Sequence, residues 1–211
     1  MLHIIGIDHG VQTRKADEEE TEGQQAFSRL VKQSIQDVHP TFVAEEYSEE
    51  QLRNTEKISV AKQISDSAGI DHRFCDPNQA ERKSIGYLRS DEILMRHKAR
   101  LGFNLSLEQA SLKASAIEVG QYFPRREQFW LQRLEGCREQ DAVFICGDGH
   151  IESKSLTTLL ESEDIPYKIL HRGIGLSEDE HERIQRVIEY LRAHPELKNW
   201  ERDFLKKEYG G

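Results

Sequence analysis

The feature that most constrains the fold is the alternation of short apolar runs with longer segments of helical periodicity. The clearest apolar run is Ala142–Cys146, which lies between Asp141 and Gly147. Apolar runs of about 4–8 residues with polar or turn residues at both ends are typical of buried strands. Further strands are predicted at residues 2–7, 41–44, 70–75 and 166–170.

The segments between these strands carry the spacing of amphipathic helices. In the segment Gln24–Val38, the apolar residues Phe27, Leu30, Val31 and Ile35 fall on one helix face. Residues 13–23 are charged and irregular, which favours a solvated loop. Further helices are predicted at residues 59–68, 124–137, 153–163 and 177–193, with mostly helical structure and no strand signal over residues 90–119.

Strands that alternate with helices predict an α/β fold. Right-handed crossover connections then place the strands in a mostly parallel sheet with helices on both faces. A helical insert at about residues 89–120 interrupts this pattern. The length of 211 residues suits a single α/β domain over residues 1–211.

Composition restricts the partners that the chain can have. The net charge of −9 repels nucleic-acid phosphates and argues against an extended nucleic-acid partner, although a local basic cluster can still bind a small anion. No apolar run approaches the roughly 20 residues of a membrane helix, and the N-terminus lacks the features of a signal peptide. The three cysteines match neither a zinc motif nor a disulfide framework. These features predict a cytoplasmic protein with no membrane partner, and they leave the oligomeric state open.

Polar residues gather at the carboxyl ends of the predicted strands. In parallel sheets, ligands bind beyond these ends. Because so many carboxylates and imidazoles at one edge repel or take up protons, a bound cation or nearby arginines are expected there. The residues concerned are Asp8 and His9 after the first strand, Glu45 and Glu46 after the second, Asp76 after the third, and Asp148 and His150 after the fourth.

Two of these strand ends share a Gly-x-x-His motif. The motifs are Gly6-Ile7-Asp8-His9 and Gly147-Asp148-Gly149-His150. Glycine lets the backbone turn sharply off a strand and approach a ligand closely. One such motif occurs easily by chance, whereas two, each directly after a buried strand, indicate a shared polar site. In the alternative interpretation, both histidines only satisfy loop backbone groups.

A basic pair precedes the fourth predicted strand. Arg125 and Arg126 begin the helix that leads into it, and one of them is expected to neutralise the strand-end carboxylates or to hold a substrate anion. Local sequence equally permits an exposed pair of arginines at a helix start.

The order of these landmarks resembles the superfamily that contains TraB/PrgY proteins, Tiki metalloproteases, erythromycin esterases and haem-binding ChaN lipoproteins. Gly6-Ile7-Asp8-His9 is similar to the first Gly-x-x-His of that family, and Glu46 after residues 40–45 to its strand-ending glutamate. Arg126 resembles the arginine on the helix before the last motif, and residues 142–170 resemble the closing segment. The resemblance implies an α/β core with a helical insert. It also implies hydrolytic chemistry, which needs a divalent ion in Tiki-like members and uses a glutamate-assisted histidine in esterase-like members.

The leading functional hypothesis is a metal-assisted hydrolase of an ester, amide or phosphoester in a small-molecule or peptide substrate. His9, Glu45, Glu46, Arg126 and His150 are the candidate catalytic residues. A divalent Mn²⁺, Mg²⁺ or Zn²⁺ ion is expected to be bound by His9, Glu46 and His150 together with Asp8 and Asp148. Two alternatives stay open: a metal- or small-anion-binding module without turnover, and an interaction protein whose strand-end residues only hold loops.

Overall fold

A computed structural model of the chain describes residues 1–101 and 104–201. It contains a five-stranded sheet in which every strand pair is parallel, with the spatial order β5-β3-β6-β1-β7. The predicted α/β fold with a parallel sheet is confirmed. The strands are β1 (Leu2–Ile7), β2 (Thr13–Lys15), β3 (Phe42–Glu45), β4 (Lys57–Ser59), β5 (Asp71–Phe74), β6 (Ala142–Gly147) and β7 (Tyr167–Ile174).

Helices connect the strands, and several of them begin at side-chain caps. The hydroxyl groups of Thr21, Ser59 and Ser177 each accept a hydrogen bond from a backbone N–H of the first helical turn. No helix in the described part of the chain is long and apolar enough to span a membrane. The helices are α1 (His9–Gln12), α2 (Glu22–Val38), α3 (Glu49–Thr55), α4 (Val60–Ala68), α5 (Gln79–Ser84), α6 (Ser90–Leu101), α7 (Leu107–Ile117), α8 (Phe123–Arg133), α9 (Asp148–Glu152), α10 (Ser155–Ser162) and α11 (Glu178–Ala193).

Both faces of the sheet are covered, as the apolar runs predict. On β6, Phe144 and Cys146 point into one apolar cluster, while Val143 and Ile145 point into another. The first cluster contains Trp130 and the apolar residues of α10, and the second contains the apolar faces of α2 and α4. Since β6 is the central strand and is buried on both faces, its carboxyl end is held rigidly from both sides.

The helical insert forms a separate apolar cluster beside the sheet. α6 and α7 fall within the predicted range of residues 89–120, and a π-helical segment, Glu118–Tyr122, joins α7 to α8. Ala114 and Ile117 of the insert pack with Val187 and Leu191 of α11. The insert and α11 therefore form one wall above the carboxyl edge of the sheet.

A small antiparallel sheet is the main element that the sequence pattern does not predict. β2 and β4 pair over three residues each, from Thr13 with Ser59 to Lys15 with Lys57. Strands of three residues are too short to show a period-2 pattern, so this part of the predicted solvated loop gave no strand signal. β7 also extends beyond the predicted residue 170, to Ile174, because an edge strand tolerates polar residues.

Candidate active site

The carboxyl ends of three adjacent strands form the candidate site. β6 lies between β3 and β1, so Glu46, which follows β3, and His9, which follows β1, flank the end of β6. Ile7 is opposite Gly147 in the sheet register, which places the two Gly-x-x-His motifs side by side. The backbone N–H of Glu46 donates to the carbonyl of Ile145 at 2.9 Å and keeps this glutamate on the sheet edge.

A single carboxylate oxygen is the centre of the site. Nε2 of His9 and Nε2 of His150 lie 3.4 Å and 3.5 Å from Oε1 of Glu46. Nη1 of Arg126 lies 2.5 Å from the same oxygen. The other carboxylate oxygen of Glu46 accepts a hydrogen bond from the backbone N–H of Gly147 at 2.6 Å. Four of the residues predicted for the site, His9, Glu46, Arg126 and His150, are therefore brought together.

His9 is the member of this group that is open to solvent. Asp8 caps the short helix α1, with its Oδ1 accepting from the N–H of Gly10 at 2.5 Å, and His9 is the first residue of that helix. The His9 side chain is 45% exposed, and its Nδ1 lies 3.1 Å from Oε1 of Gln12. Desolvation disfavours the charged ring, but the Glu46 carboxylate and the hydrogen bonds with Glu46 and Gln12 outweigh it and raise the pKa of His9.

His150 is the buried counterpart of His9. Its side chain is only 3% exposed, and its ring stacks on Phe123 at a centroid distance of 3.7 Å. Nδ1 of His150 lies 2.6 Å from Oε1 of Glu127, whose other oxygen accepts from the hydroxyl of Ser155 at 2.5 Å. Burial disfavours the charged ring, but the carboxylates of Glu46 and Glu127 outweigh burial and raise the pKa of His150 to about 9.

Arg126 connects Glu46 to a second carboxylate. Its Nε lies 2.5 Å from Oδ1 of Asp76, and the indole N–H of Trp130 donates to the same oxygen at 3.3 Å. Burial disfavours the charged guanidinium, but Asp76 and Glu46 outweigh it and hold the pKa of Arg126 well above its usual range. Burial likewise opposes ionisation of Glu46, yet Arg126 and both histidines keep its pKa well below the usual range. The site is thus built around the ionised groups of Glu46, Arg126 and His150.

Glu45 lies on the opposite side of the sheet edge, and this differs from its predicted place among the catalytic residues. Its Oε2 accepts a hydrogen bond from Nε2 of Gln12 at 2.6 Å, and Nε2 of His72 lies 3.0 Å from its Oε1. Successive side chains of a strand point to opposite faces, so only one of two adjacent glutamates can face His150. The structure assigns that position to Glu46.

The two aspartates predicted as metal ligands are also engaged elsewhere. Asp8 caps α1, as described above. Asp148 pairs with Arg172, with 2.9 Å between Oδ2 and Nη2, and accepts from the backbone N–H of Gly173 at 3.1 Å. Asp148 also fills the space beside Gly6, where a Cβ atom would lie 2.3 Å from its Oδ1. Arg125, the other candidate cation, pairs with Glu201 instead of the site.

The remaining side chains do not suit a divalent cation in this arrangement. A metal ion needs lone pairs at about 2.0–2.2 Å from several ligands, whereas the Glu46 oxygen between the two histidines already contacts the guanidinium of Arg126. Within residues 1–101 and 104–201, no group of three or more His, Cys, Asp or Glu side chains is arranged to hold a metal ion.

Two functional candidates of the site were not predicted from the sequence. Glu127 follows Arg126 directly on α8. Because consecutive helical residues are about a quarter of a turn apart, Arg126 faces Asp76 while Glu127 faces His150. Gln12 lies three residues after His9 on α1, the spacing at which helical side chains meet. The i, i+3 relation of His9 and Gln12 was the available signal.

A cavity of about 930 Å³ opens above the ionised network. Its floor includes His9, Glu46, Arg126 and His150, which come from four separate parts of the chain. Its opposite wall is formed by residues of the insert and of α11 and by the short segments that precede them. This wall combines apolar residues with arginines and glutamates, so the cavity suits a ligand that has both an apolar portion and a polar group. The wall includes Tyr87, Leu88, Arg89, Val119, Leu176, Arg183, Ile184, Val187 and Ile188.

The chain is thus an α/β protein with a histidine–glutamate–arginine network at the carboxyl edge of its parallel sheet. Comparisons of the chain with protein-family models, with curated proteins and with solved structures find no match.

Proposed function

We propose that this chain is a hydrolase that uses His9 as its general base on an ester, amide or phosphoester. The observation that carries the proposal is the position of His9 and His150 on one Glu46 oxygen, at the floor of a cavity of ligand size. No step is assigned to a metal ion, because the candidate ligands do not fit one. The metal-assisted hydrolase predicted from the sequence stays a prediction.

In this mechanism, Nε2 of His9 removes a proton from a water molecule as its oxygen attacks the carbonyl carbon or phosphorus. The resulting imidazolium is stabilised by the ionised carboxylate of Glu46 at 3.4 Å. The same proton then passes to the leaving alcohol or amine, so water is divided between the two products. General acid–base catalysis of this kind contributes roughly 10²–10⁴-fold.

The cations of the network have a separate part in the mechanism. Negative charge develops on the attacked group in the transition state, and preorganised charges stabilise it most effectively where water is excluded. Arg126 is 13% exposed and His150 only 3%, and both line the cavity floor. Asp76 and Glu127 hold these two cations in place through contacts of 2.5 Å and 2.6 Å.

The family resemblance supports the same reaction class. The four landmarks that carry it are His9, Glu46, Arg126 and His150, and they are the four residues that meet on the cavity floor. If each of these residues only bonded to backbone groups of its own loop, residues so far apart in sequence would not be expected to contact one carboxylate. We therefore propose that the chain is a distant member of that superfamily with esterase-like, histidine-based chemistry.

A substrate panel tests the proposal directly. Wild-type protein is incubated with ester, peptide and phosphodiester substrates, once with Mn²⁺ and once with a chelator, and products are quantified. We expect hydrolysis of at least one class, with the same rate in chelator. His9→Ala should lose the activity, whereas His171→Ala, which removes an exposed histidine of β7, should keep it. Equal rates in wild type and His9→Ala would rule out the base assignment, and dependence on Mn²⁺ would restore the metal hypothesis.

A second candidate function is the binding of a small anion without turnover. The observation that favours it is the state of His150, whose two ring nitrogens both face carboxylates, so that the ring holds positive charge permanently near neutral pH. A cation of this kind attracts an anion without exchanging protons with it. Calorimetric binding of inorganic phosphate or acetate, with no turnover of any panel substrate, is the result that would favour binding over hydrolysis.

A further inference from the structure

A chain of polar contacts leads from His9 away from the cavity into the protein. Nδ1 of His9 lies 3.1 Å from Oε1 of Gln12, and Nε2 of Gln12 donates to Oε2 of Glu45 at 2.6 Å. Gln12 and Glu45 have no exposed surface. None of the contacts in this chain is used by the mechanism above, so a separate account is needed for a buried amide and a buried carboxylate behind the base.

The orientation of the Gln12 amide follows from chemistry. A carboxylate oxygen accepts, so the group of Gln12 that contacts Glu45 is its NH₂, which donates at 2.6 Å. The amide oxygen then has to face His9. Rotation of the amide by half a turn would place two oxygens 2.6 Å apart in a buried site, which is strongly unfavourable.

The fixed amide oxygen in turn selects the proton position on His9. An oxygen 3.1 Å from Nδ1 makes a favourable contact only when that nitrogen carries a hydrogen. The contact of the other ring nitrogen is longer, because Nε2 lies 3.4 Å from Glu46 whereas Nδ1 lies 3.1 Å from Gln12. The charge of Glu46 is also already balanced by Arg126 at 2.5 Å. His9 lines the cavity, and its side chain is 45% exposed.

We infer that Gln12 and Glu45 are positioning residues that hold neutral His9 as its Nδ1–H tautomer, which leaves the lone pair on Nε2. The catalytic consequence rests on the proposed function, because a general base at Nε2 needs that lone pair. The tautomer itself does not rest on it and can be measured without a substrate. Glu45 thus acts through Gln12, in the way that the acidic member of a catalytic triad orients its histidine.

The experiment is nitrogen NMR of protein labelled with ¹⁵N-histidine, at a pH where His9 is neutral, with the His9 signals identified by their loss in His9→Ala. In wild type we expect Nδ1 to be protonated and Nε2 to be unprotonated. Gln12→Met removes the amide oxygen at similar side-chain length, so we expect the Nε2–H tautomer, which Glu46 favours, to become populated. Protonation of Nε2 in neutral wild-type His9 would overturn the inference even if no variant folds.

Turnover gives the second measurement. Gln12→Met should lower kcat by at least about 10-fold with little change in KM, because a base in the wrong tautomer cannot accept the proton of water. Full kcat in a folded Gln12→Met protein, with hydrolysis still lost in His9→Ala, would overturn the positioning role and leave the hydrolase proposal standing. The expected tautomer in a protein that hydrolyses nothing would support the positioning role and remove the hydrolase proposal.

Discussion

The two Gly-x-x-His motifs have the same spacing and place their histidines on the same Glu46 oxygen, yet their surroundings differ. His9 is 45% exposed and is held from behind by a neutral amide, whereas His150 is 3% exposed and lies between two carboxylates. An exposed imidazole beside one carboxylate can exchange protons with a substrate. A buried imidazole beside two carboxylates holds a charge. Equal motifs therefore place their histidines in unequal environments, and the difference comes from the residues that contact the second ring nitrogen.

The largest expected effect separates the two histidines by activity. His9→Ala should lower kcat/KM by about 10²–10⁴-fold, because it removes the base, while changing the free energy of unfolding by less than about 1 kcal/mol at this exposed position. Hydrolysis rates and urea unfolding of the same preparation measure both quantities. If His9→Ala lost stability as well as activity, His9 would have a structural role like that of His150, and the distinction between the two motifs would fail.

The second prediction concerns Glu127, which contacts His150 but not His9. Glu127→Ala should destabilise the fold by about 3–5 kcal/mol, because it leaves the buried imidazole and the hydroxyl of Ser155 without their shared partner. Glu139→Ala, at an exposed position, is the control and should change stability by less than about 0.5 kcal/mol. Urea unfolding near pH 7 compares the two variants, and similar midpoints would contradict a charged role for His150.

The third prediction is a pH dependence of stability. Because the pKa of His150 is raised from 6.5 to about 9 in the folded protein, its stabilising contribution is complete below pH 6.5 and is lost as the pH rises toward 9. The shift corresponds to on the order of 3 kcal/mol, and the raised pKa of His9 acts in the same direction. Unfolding free energies between pH 6 and about 9.5 test this. A shallower slope is expected in Glu127→Gln, and an unchanged slope would assign the effect to other groups.

The smallest expected effects come from the glycines of the motifs. A Cβ on Gly6 would meet Asp148 at 2.3 Å and Ile151 at 2.8 Å, so Gly6→Ala should destabilise the fold by about 1–3 kcal/mol. A Cβ on Gly147 would meet the end of the His9 ring at 2.9 Å, which can move aside. Gly147→Ala should therefore reduce activity by about 10-fold while stability changes less than in Gly6→Ala. Thermal unfolding and turnover of both variants compare the two motifs, and the reverse order of stabilities would be inconsistent with these contacts.

The sequence predicts the sheet and the meeting of His9, His150 and one of two adjacent glutamates because both follow from strand ends, whereas Arg126 is one of two helix arginines that it allows to reach them. Buried parallel strands leave strong apolar runs, and whatever follows them must gather at one edge. Which of two adjacent side chains faces the site depends on the strand register, because a shift of one residue moves each side chain to the opposite face. Glu45 is therefore indistinguishable from Glu46 before the structure is known.

The parts that sequence reasoning missed depend on contacts between distant segments. Glu127 reads as one more charged residue on a polar helix until α9 places His150 against it. Asp8 and Asp148 are predicted as ligands from their place at strand ends, whereas in the structure one caps a helix and the other pairs with Arg172. The pairing of β2 with β4 likewise joins residues more than forty positions apart, and three-residue strands leave no periodic trace.

The position of β6 in the sheet has a consequence for how the protein is made. β6 separates β1 from β3, so these first two sheet strands have no common neighbour until residues 142–147 have left the ribosome. Until then Glu46 also lacks His150, one of the three cations that surround it in the finished protein. Translation must therefore pass the middle of the chain before the sheet can close, and a nascent chain that stops at about residue 135 should expose its apolar strands to chaperones.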